Sequence, residues 1–109
     1  VVEPYQAPAL VASMQAGAFV VSEGGVSDMG RLDCKEASLI ALKGLARDAD
    51  TFVTLTEDEG LRGAQATAHH DMAASASGAA GVAAVLQAQG AFGLDSSSTV
   101  LCILSEGPA

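Results

Sequence analysis

Three residues near the C-terminus could do chemistry together. Ser105-Glu106-Gly107 presents a hydroxyl, a carboxylate and a backbone position without Cβ, directly after an apolar run. A ligand can approach glycine backbone closely because no side chain stands in the way. The same residues also suit a polar strand exit with a glycine turn, which needs no ligand. Residue types alone leave both interpretations open.

Two further clusters have side chains suited to chemistry. His69, His70 and Asp71 are metal-ligand types, but adjacent histidines diverge and the sequence has no third histidine. We expect a polar loop between helices there and no metal site. The acidic residues at 57–59 follow Thr56 at a predicted helix start, where negative charge complements the helix dipole. We therefore interpret them as structural and not as a catalytic carboxylate pair.

The elements that position these residues alternate along the chain. Apolar residues at helical spacing predict helices at 6–16 and 36–47, and Gly17 is placed to end the first. Thr56 and Glu59 form a capping-box pattern that predicts a helix start. The Ala- and Gly-rich stretch 77–89 predicts a slim, buried helix. Strands are expected at about 1–4, 19–21, 51–55 and 99–104.

This order of elements predicts an α/β fold. The continuous apolar run at 99–104 is typical of a strand covered on both faces, as in parallel sheets. We expect three layers, with a mostly parallel sheet and helices on both faces, and no domain boundary within residues 1–109. Ligands of open α/β sheets bind beyond the carboxyl ends of strands, so the place to look is just after Leu104.

Composition excludes several classes of protein. The 109 residues suffice for one domain, and the formal charge of −8 repels nucleic acid and anionic membrane surfaces. Every wholly apolar stretch is far shorter than the roughly 20 residues that cross a bilayer. Two distant cysteines without a CxxC pattern suit a cytoplasmic protein with free thiols. Both chain ends resemble interior positions of a larger α/β protein, so we expect a fragment.

Four stretches carry a family resemblance. Residues 100–107 resemble the last core strand of fold-type-II, tryptophan-synthase-β-like pyridoxal-phosphate enzymes, in which an apolar run precedes Ser, Thr or Cys and a nearby Gly. Ser-Gly-Ala at 77–79 is similar to the element before the family's penultimate core helix, and Asp95 after Gly93-Leu94 also fits. Residues 32–38 look like the Cys-Gly-Glu-x-Ser stretch of the diaminopropionate ammonia-lyase branch, with Lys35 in place of the usual Gly.

The resemblance implies a cofactor and its contacts. Pyridoxal phosphate would be bound with the Ser105 hydroxyl facing its pyridine nitrogen. Gly107 would let backbone approach the ring, and Glu36 with Ser38 would line the cofactor's rim. The family's Schiff-base lysine and phosphate-binding loop belong to the N-terminal part of the enzyme, so the resemblance implies that this chain is the C-terminal part of a larger fold. Lys35 adjoins Glu36 and Lys43 lies on a polar helix side, so neither is expected to replace that lysine.

The implied activity is β-elimination. The resemblance implies an ammonia-lyase acting on a small, diaminopropionate-like amino acid, giving a keto acid and ammonia. A serine/threonine dehydratase of the same fold is one alternative, and a non-catalytic α/β ligand-binding or interaction module is another. Expected partners are the missing N-terminal part, the amino-acid substrate and a second copy in a homodimer. This chain holds no catalytic residue under that prediction and should be inactive alone.

Overall fold

Two short parallel strands form the sheet of the computed structural model, which describes residues 1–88 and 90–108. Strand β1 is Val2–Pro4 and strand β2 is Val53–Leu55. Val2 pairs with Val53 and Pro4 pairs with Leu55. Backbone hydrogen bonds continue past both ends of the ladder, from Val53 N to Val1 O at 2.9 Å and from Tyr5 N to Leu55 O at 2.7 Å. The predicted parallel pairing is therefore confirmed for these two strands.

The described residues form four helices beside the sheet. They are α1 (Ala9–Ala16), α2 (Leu39–Asp48), α3 (Glu57–His69) and α4 (Ala80–Ala88), and a 3-10 turn follows at Ala91–Gly93. Each lies close to its predicted position, although α1, α2 and α4 all begin three residues later than predicted. The predicted end of the last helix, Gln89, lies outside the described residues.

The helices cover both faces of the sheet. Side chains alternate between faces along a strand. Val2, Val53 and Leu55 pack with the α4 alanines on one face. Glu3 points to the other face, where its carboxylate accepts hydrogen bonds from Leu10 and Val11 in α1. The predicted three-layer α/β architecture is confirmed.

Small residues let α3 and α4 pack closely. A Cβ added at Gly63 would stand 2.6 Å from the Cβ of Ala83, so the two helices approach within a distance that only glycine permits. Ala80, Ala83 and Ala84 join Met29 and Leu55 in the core. The predicted slim profile of α4 is confirmed, but the helix is buried on one side only, because Leu86 on the other side is 46% exposed.

Local sequence signals end and begin the helices as predicted. Gly17 adopts φ 66° after α1 and donates its N–H to Met14 O at 3.3 Å. At the start of α3, Thr56 N donates to the Glu59 carboxylate at 2.8 Å and Glu59 N donates to the Thr56 hydroxyl at 3.3 Å. This reciprocal pair is the predicted capping box, and it satisfies two amides that the helix itself cannot.

Two predicted strands are wrong. Residues 19–21 form no strand, and Val20 instead bonds through its N–H and C=O to the Ser13 hydroxyl at 3.2 and 3.3 Å. Residues 99–104 also form no strand, and no backbone hydrogen bond within the described chain involves them. Val1, Val2 and Val100–Ile103 line the same cleft of about 780 Å³, and within the described residues no backbone hydrogen bond joins this run to β1.

Among the described residues, no helix combines the length and apolar character that crossing a membrane requires.

Candidate functional site

The C-terminal segment lies against the turn that leads into α4. Ser75 N donates to two carbonyl oxygens of this segment, Glu106 O at 3.3 Å and Gly107 O at 3.0 Å. Ser75 also accepts a hydrogen bond at its hydroxyl from Gly78 N at 3.0 Å. The backbone around Ser105 is thus joined to the residues 75–78, which we call the α4 turn.

Gly78 is the point of closest approach between the two segments. A Cβ at this position would stand 2.3 Å from Glu106 O and 2.9 Å from Glu106 N. Both are backbone atoms, so no side-chain rotation could relieve the overlap. Glycine is required here for the approach itself, because Gly78 is buried against the peptide that follows Ser105.

Ser105 and Gly107 face open space. Ser105 is exposed, and within the described residues its hydroxyl has no hydrogen-bond partner. A Cβ at Gly107 would meet nothing within 4 Å. The segment therefore exposes a neutral hydroxyl and an unobstructed backbone position two residues later. Hydrogen bonds from the α4 turn fix the backbone of this segment.

Arg31 joins this segment to a neighbouring loop. Its backbone N–H donates to the Ser77 hydroxyl at 3.2 Å, and its guanidinium lies 3.6 Å from the Glu106 carboxylate. The arginine side chain is 80% exposed, so the ion pair itself contributes little to stability. The backbone contact nevertheless places the loop after Arg31 beside the α4 turn.

Glu36 and Ser38 lie in a cleft of about 220 Å³ between that loop and helices α1 and α2. Arg31 and Cys34 line the same cleft. The Ser38 hydroxyl accepts a hydrogen bond from Ala41 N at 3.3 Å and so caps α2. Ser105 does not line this cleft. The four predicted cofactor-contacting residues therefore form two groups. Arg31 lines the cleft of one group and pairs with Glu106, which lies between the two residues of the other.

Lys35 is engaged in hydrogen bonds, and Lys43 is exposed. Lys35 Nζ donates to Gly25 O at 2.7 Å and to the Asp33 carboxylate. The hydrogen bond from Lys35 holds the pKa of Asp33 below its ordinary value. Lys43 is exposed beside the groove between α1 and α2. Neither amine is buried in an apolar pocket.

The remaining clusters stay apart from this site. His69, His70 and Asp71 are exposed at the end of α3. Within the described residues, no three His, Cys, Asp or Glu side chains are placed to hold a metal ion. Glu57 accepts hydrogen bonds from the Ser27 hydroxyl and from Asp28 N, both at 2.8 Å, so it fastens a loop to the start of α3.

Sequence reasoning missed the contact that fixes the site. The Ser-Gly pair at 77–78 was visible as a motif, yet no signal indicated that Gly78 meets the backbone of Glu106. Arg31 was missed as well, because an isolated arginine in a loop has no local pattern. Both contacts join residues that are distant in sequence, and only the fold brings them together.

The comparisons with known proteins agree with this fold. A family model described as "Pyridoxal-phosphate dependent enzyme" matches residues 1–106. The crystal structure of a threonine deaminase from the organism abbreviated T.th. matches with a TM-score of 0.74 and 21% identity, over 83% of this chain and 34% of that one. This chain therefore spans about a third of that structure's length, and the likeness shows a common fold. No curated protein matches the chain.

The family match confirms the enzyme family that the sequence motifs had indicated. It extends over almost all of the chain, from β1 to the Glu106 backbone that the α4 turn holds. The expected cofactor, pyridoxal phosphate, is the cofactor of the matched family. The diaminopropionate branch remains a prediction. The chain belongs to the family of pyridoxal-phosphate-dependent enzymes.

Proposed function

We propose that the chain is part of a lyase that eliminates the β substituent of a small, diaminopropionate-like amino acid, releasing a keto acid and ammonia. The observation that carries the proposal is the exposed Ser105 hydroxyl, which directly precedes a backbone fixed to the α4 turn. The family supplies the cofactor, and this chain supplies one surface that can contact it.

The residues present fit one part of pyridoxal phosphate, its ring nitrogen. A hydroxyl can donate to or accept from that nitrogen, and the open space beside Gly107 leaves room for a ring. No lysine in a low-polarity pocket and no glycine-rich phosphate cradle accompanies them in the described part of the chain. The proposal therefore assigns the phosphate and the covalent anchor to other residues of the full-length protein.

A neutral contact at the ring nitrogen suits elimination. When bound, the cofactor draws electron density away from the substrate Cα. A carboxylate at the position of Ser105 would hold a proton on the ring nitrogen, because the opposite charges attract. The Ser105 hydroxyl does not impose that proton. Departure of a β leaving group is then favoured over return of a proton to Cα.

Two alternatives have specific support. A serine/threonine dehydratase would use the same Ser105 contact, and the threonine deaminase structure, with its TM-score of 0.74, supports this second candidate. A non-catalytic ligand-binding module is the candidate from another class. It is supported by the engagement of Lys35 with Asp33 and Gly25, which leaves this chain without a free buried amine.

Product stoichiometry separates these candidates. The full-length protein, loaded with pyridoxal phosphate, is given 2,3-diaminopropionate, serine or threonine in separate reactions. Diaminopropionate takes up one water and yields twice as much ammonia as keto acid, whereas serine and threonine yield equal amounts. We expect turnover of diaminopropionate at the higher ratio. Turnover of serine or threonine alone would support the dehydratase instead. Failure to bind the cofactor, seen as no cofactor absorbance, would refute both enzymes.

The ring contact is tested by adding a charge. In the full-length holoenzyme, Ser105→Asp should shift the cofactor absorbance and lower the elimination rate by on the order of tenfold to a hundredfold, because a carboxylate favours the protonated ring nitrogen. Ser96→Asp adds the same charge at another exposed serine and should leave both unchanged. Spectra and rates of Ser105→Asp that match the wild type would remove Ser105 from the cofactor site.

A further inference from the structure

The position of Ser105 depends on few contacts. A strand in a sheet is held by ladder hydrogen bonds along its whole length. Residues 99–104 have no backbone hydrogen bond within the described chain, so no ladder hydrogen bonds fix the position of the run before Ser105. The backbone hydrogen bonds that fix this segment begin one residue after Ser105, at Glu106 and Gly107.

The α4 turn holds this point from two directions. Ser75 N approaches Glu106 O at 3.3 Å and Gly107 O at 3.0 Å, which limits movement of the segment along the chain. Glu106 can lie against Gly78 because glycine has no Cβ. A Cβ at this position would stand 2.3, 2.9 and 3.0 Å from the backbone O, N and C of Glu106. The absence of a Cβ at Gly78 therefore lets the segment lie directly against the N-terminal end of α4.

We propose that the α4 turn is a positioning element for the cofactor, with Gly78 and Ser75 setting where the Ser105 hydroxyl meets the ring. This inference rests on the ring contact proposed above. Gly78 touches neither cofactor nor substrate in this scheme and acts through the Glu106 backbone. Its glycine identity is then a requirement of the site as well as of packing.

Replacing Gly78 with alanine should displace the segment that carries Ser105. A Cβ at Gly78 cannot coexist with the present path of Glu106, so Gly78→Ala must move the peptide that follows Ser105. Misplacement of a reacting group by about 1 Å can reduce a rate by about 10²-fold. Gly81→Ala is the matched control, because Gly81 lies in α4, three residues after Gly78, and its Cβ would meet nothing within 4 Å.

The experiment compares spectra of the full-length holoenzyme. We expect Gly78→Ala to shift the absorbance and emission of bound pyridoxal phosphate in the same direction as Ser105→Ala, and to lower the elimination rate by on the order of 10²-fold. Gly81→Ala should stay within about a factor of two of the wild type. The double variant of Gly78 and Ser105 should shift the spectrum no further than Ser105→Ala alone, because both changes remove one contact.

The possible failures are distinguishable. If Ser105→Ala shifts the spectrum and Gly78→Ala does not, the positioning role is wrong and the ring contact stands. An additive double variant would likewise show that Gly78 acts elsewhere. If Ser105→Ala leaves the spectrum unchanged, the ring contact itself is wrong, and the positioning role is lost with it.

A measurement on the wild type covers the case in which Gly78→Ala does not fold. The Ser75 amide donates to the segment that carries Ser105, so cofactor binding should slow its hydrogen exchange. We expect exchange of this amide to slow by about tenfold or more when pyridoxal phosphate is added to the full-length apoenzyme. Equal exchange rates in the two forms would overturn the inference.

Discussion

At the scale of single residues, Glu3 shows how a buried charge can be put to structural use. Glu3 lies in β1 and is only 8% exposed. Its two carboxylate oxygens accept hydrogen bonds from Leu10 N at 2.7 Å and Val11 N at 2.9 Å. The first amides of a helix have no partner within the helix, and Pro8, at the N-cap of α1, provides no side-chain hydrogen bond. Glu3 supplies this cap from the neighbouring strand.

Removal of that cap should destabilise the protein. Glu3→Ala leaves two amides without their acceptor, and we expect the free energy of unfolding to fall by about 2–3 kcal/mol. Glu3→Gln keeps one acceptor oxygen but loses the charge, and we expect a smaller loss of about 1 kcal/mol. Urea unfolding of each variant measures both values. Glu23→Gln, an exposed control, should change stability by less than about 0.5 kcal/mol. A Glu3→Ala protein as stable as this control would contradict the capping role.

At the scale of elements, the helices were predictable because their signals are local. The capping box at Thr56 and Glu59 and the left-handed Gly17 lie within a few residues of the termini they form. The strands were less predictable. The run 99–104 has the composition of a buried strand, but a strand also needs a partner backbone. Within the described residues this run has no backbone hydrogen bond to any strand, and composition cannot reveal whether a partner backbone is in reach.

The candidate site, like the fold, was predictable from the sequence only in part. The sequence indicated Ser105 as the end of an apolar run, and the structure places it on an accessible surface. Glu36 and Ser38 were predicted to line the cofactor's rim, which stays a prediction. They line a cleft that Ser105 does not line, and the hydroxyl of Ser38 caps α2. One hydroxyl can serve as a cap or as a ligand contact, and local sequence does not distinguish the two. The contact of Gly78 with Glu106 joins distant parts of the chain and has no local signal.

At the scale of the whole molecule, the chain exposes much apolar surface. Its accessible surface is 6850 Å², whereas a compact monomer of 10.8 kDa exposes about 5,500 Å². Several large apolar side chains are mostly exposed, including Ile40 at 89%, Leu101 at 87% and Ile103 at 73%. Ile40 lies on α2, of which no residue is buried, and the other two lie on the run 99–104. Exposed apolar surface of this kind favours association.

The two surfaces should differ in how strongly they associate. The run 99–104 combines apolar side chains with backbone groups that have no partner in the described chain, which is a template for strand pairing. Helix α2 satisfies its own backbone, so Ile40 offers apolar contact alone. We therefore expect Leu101→Lys to reduce self-association of the 109-residue chain, measured by sedimentation velocity, by about tenfold, and Ile40→Lys to reduce it by about threefold or less. The two substitutions add the same charge at nearly equal exposure, 87% and 89%. Equal effects would show that apolar area, and not unpaired backbone, drives the association.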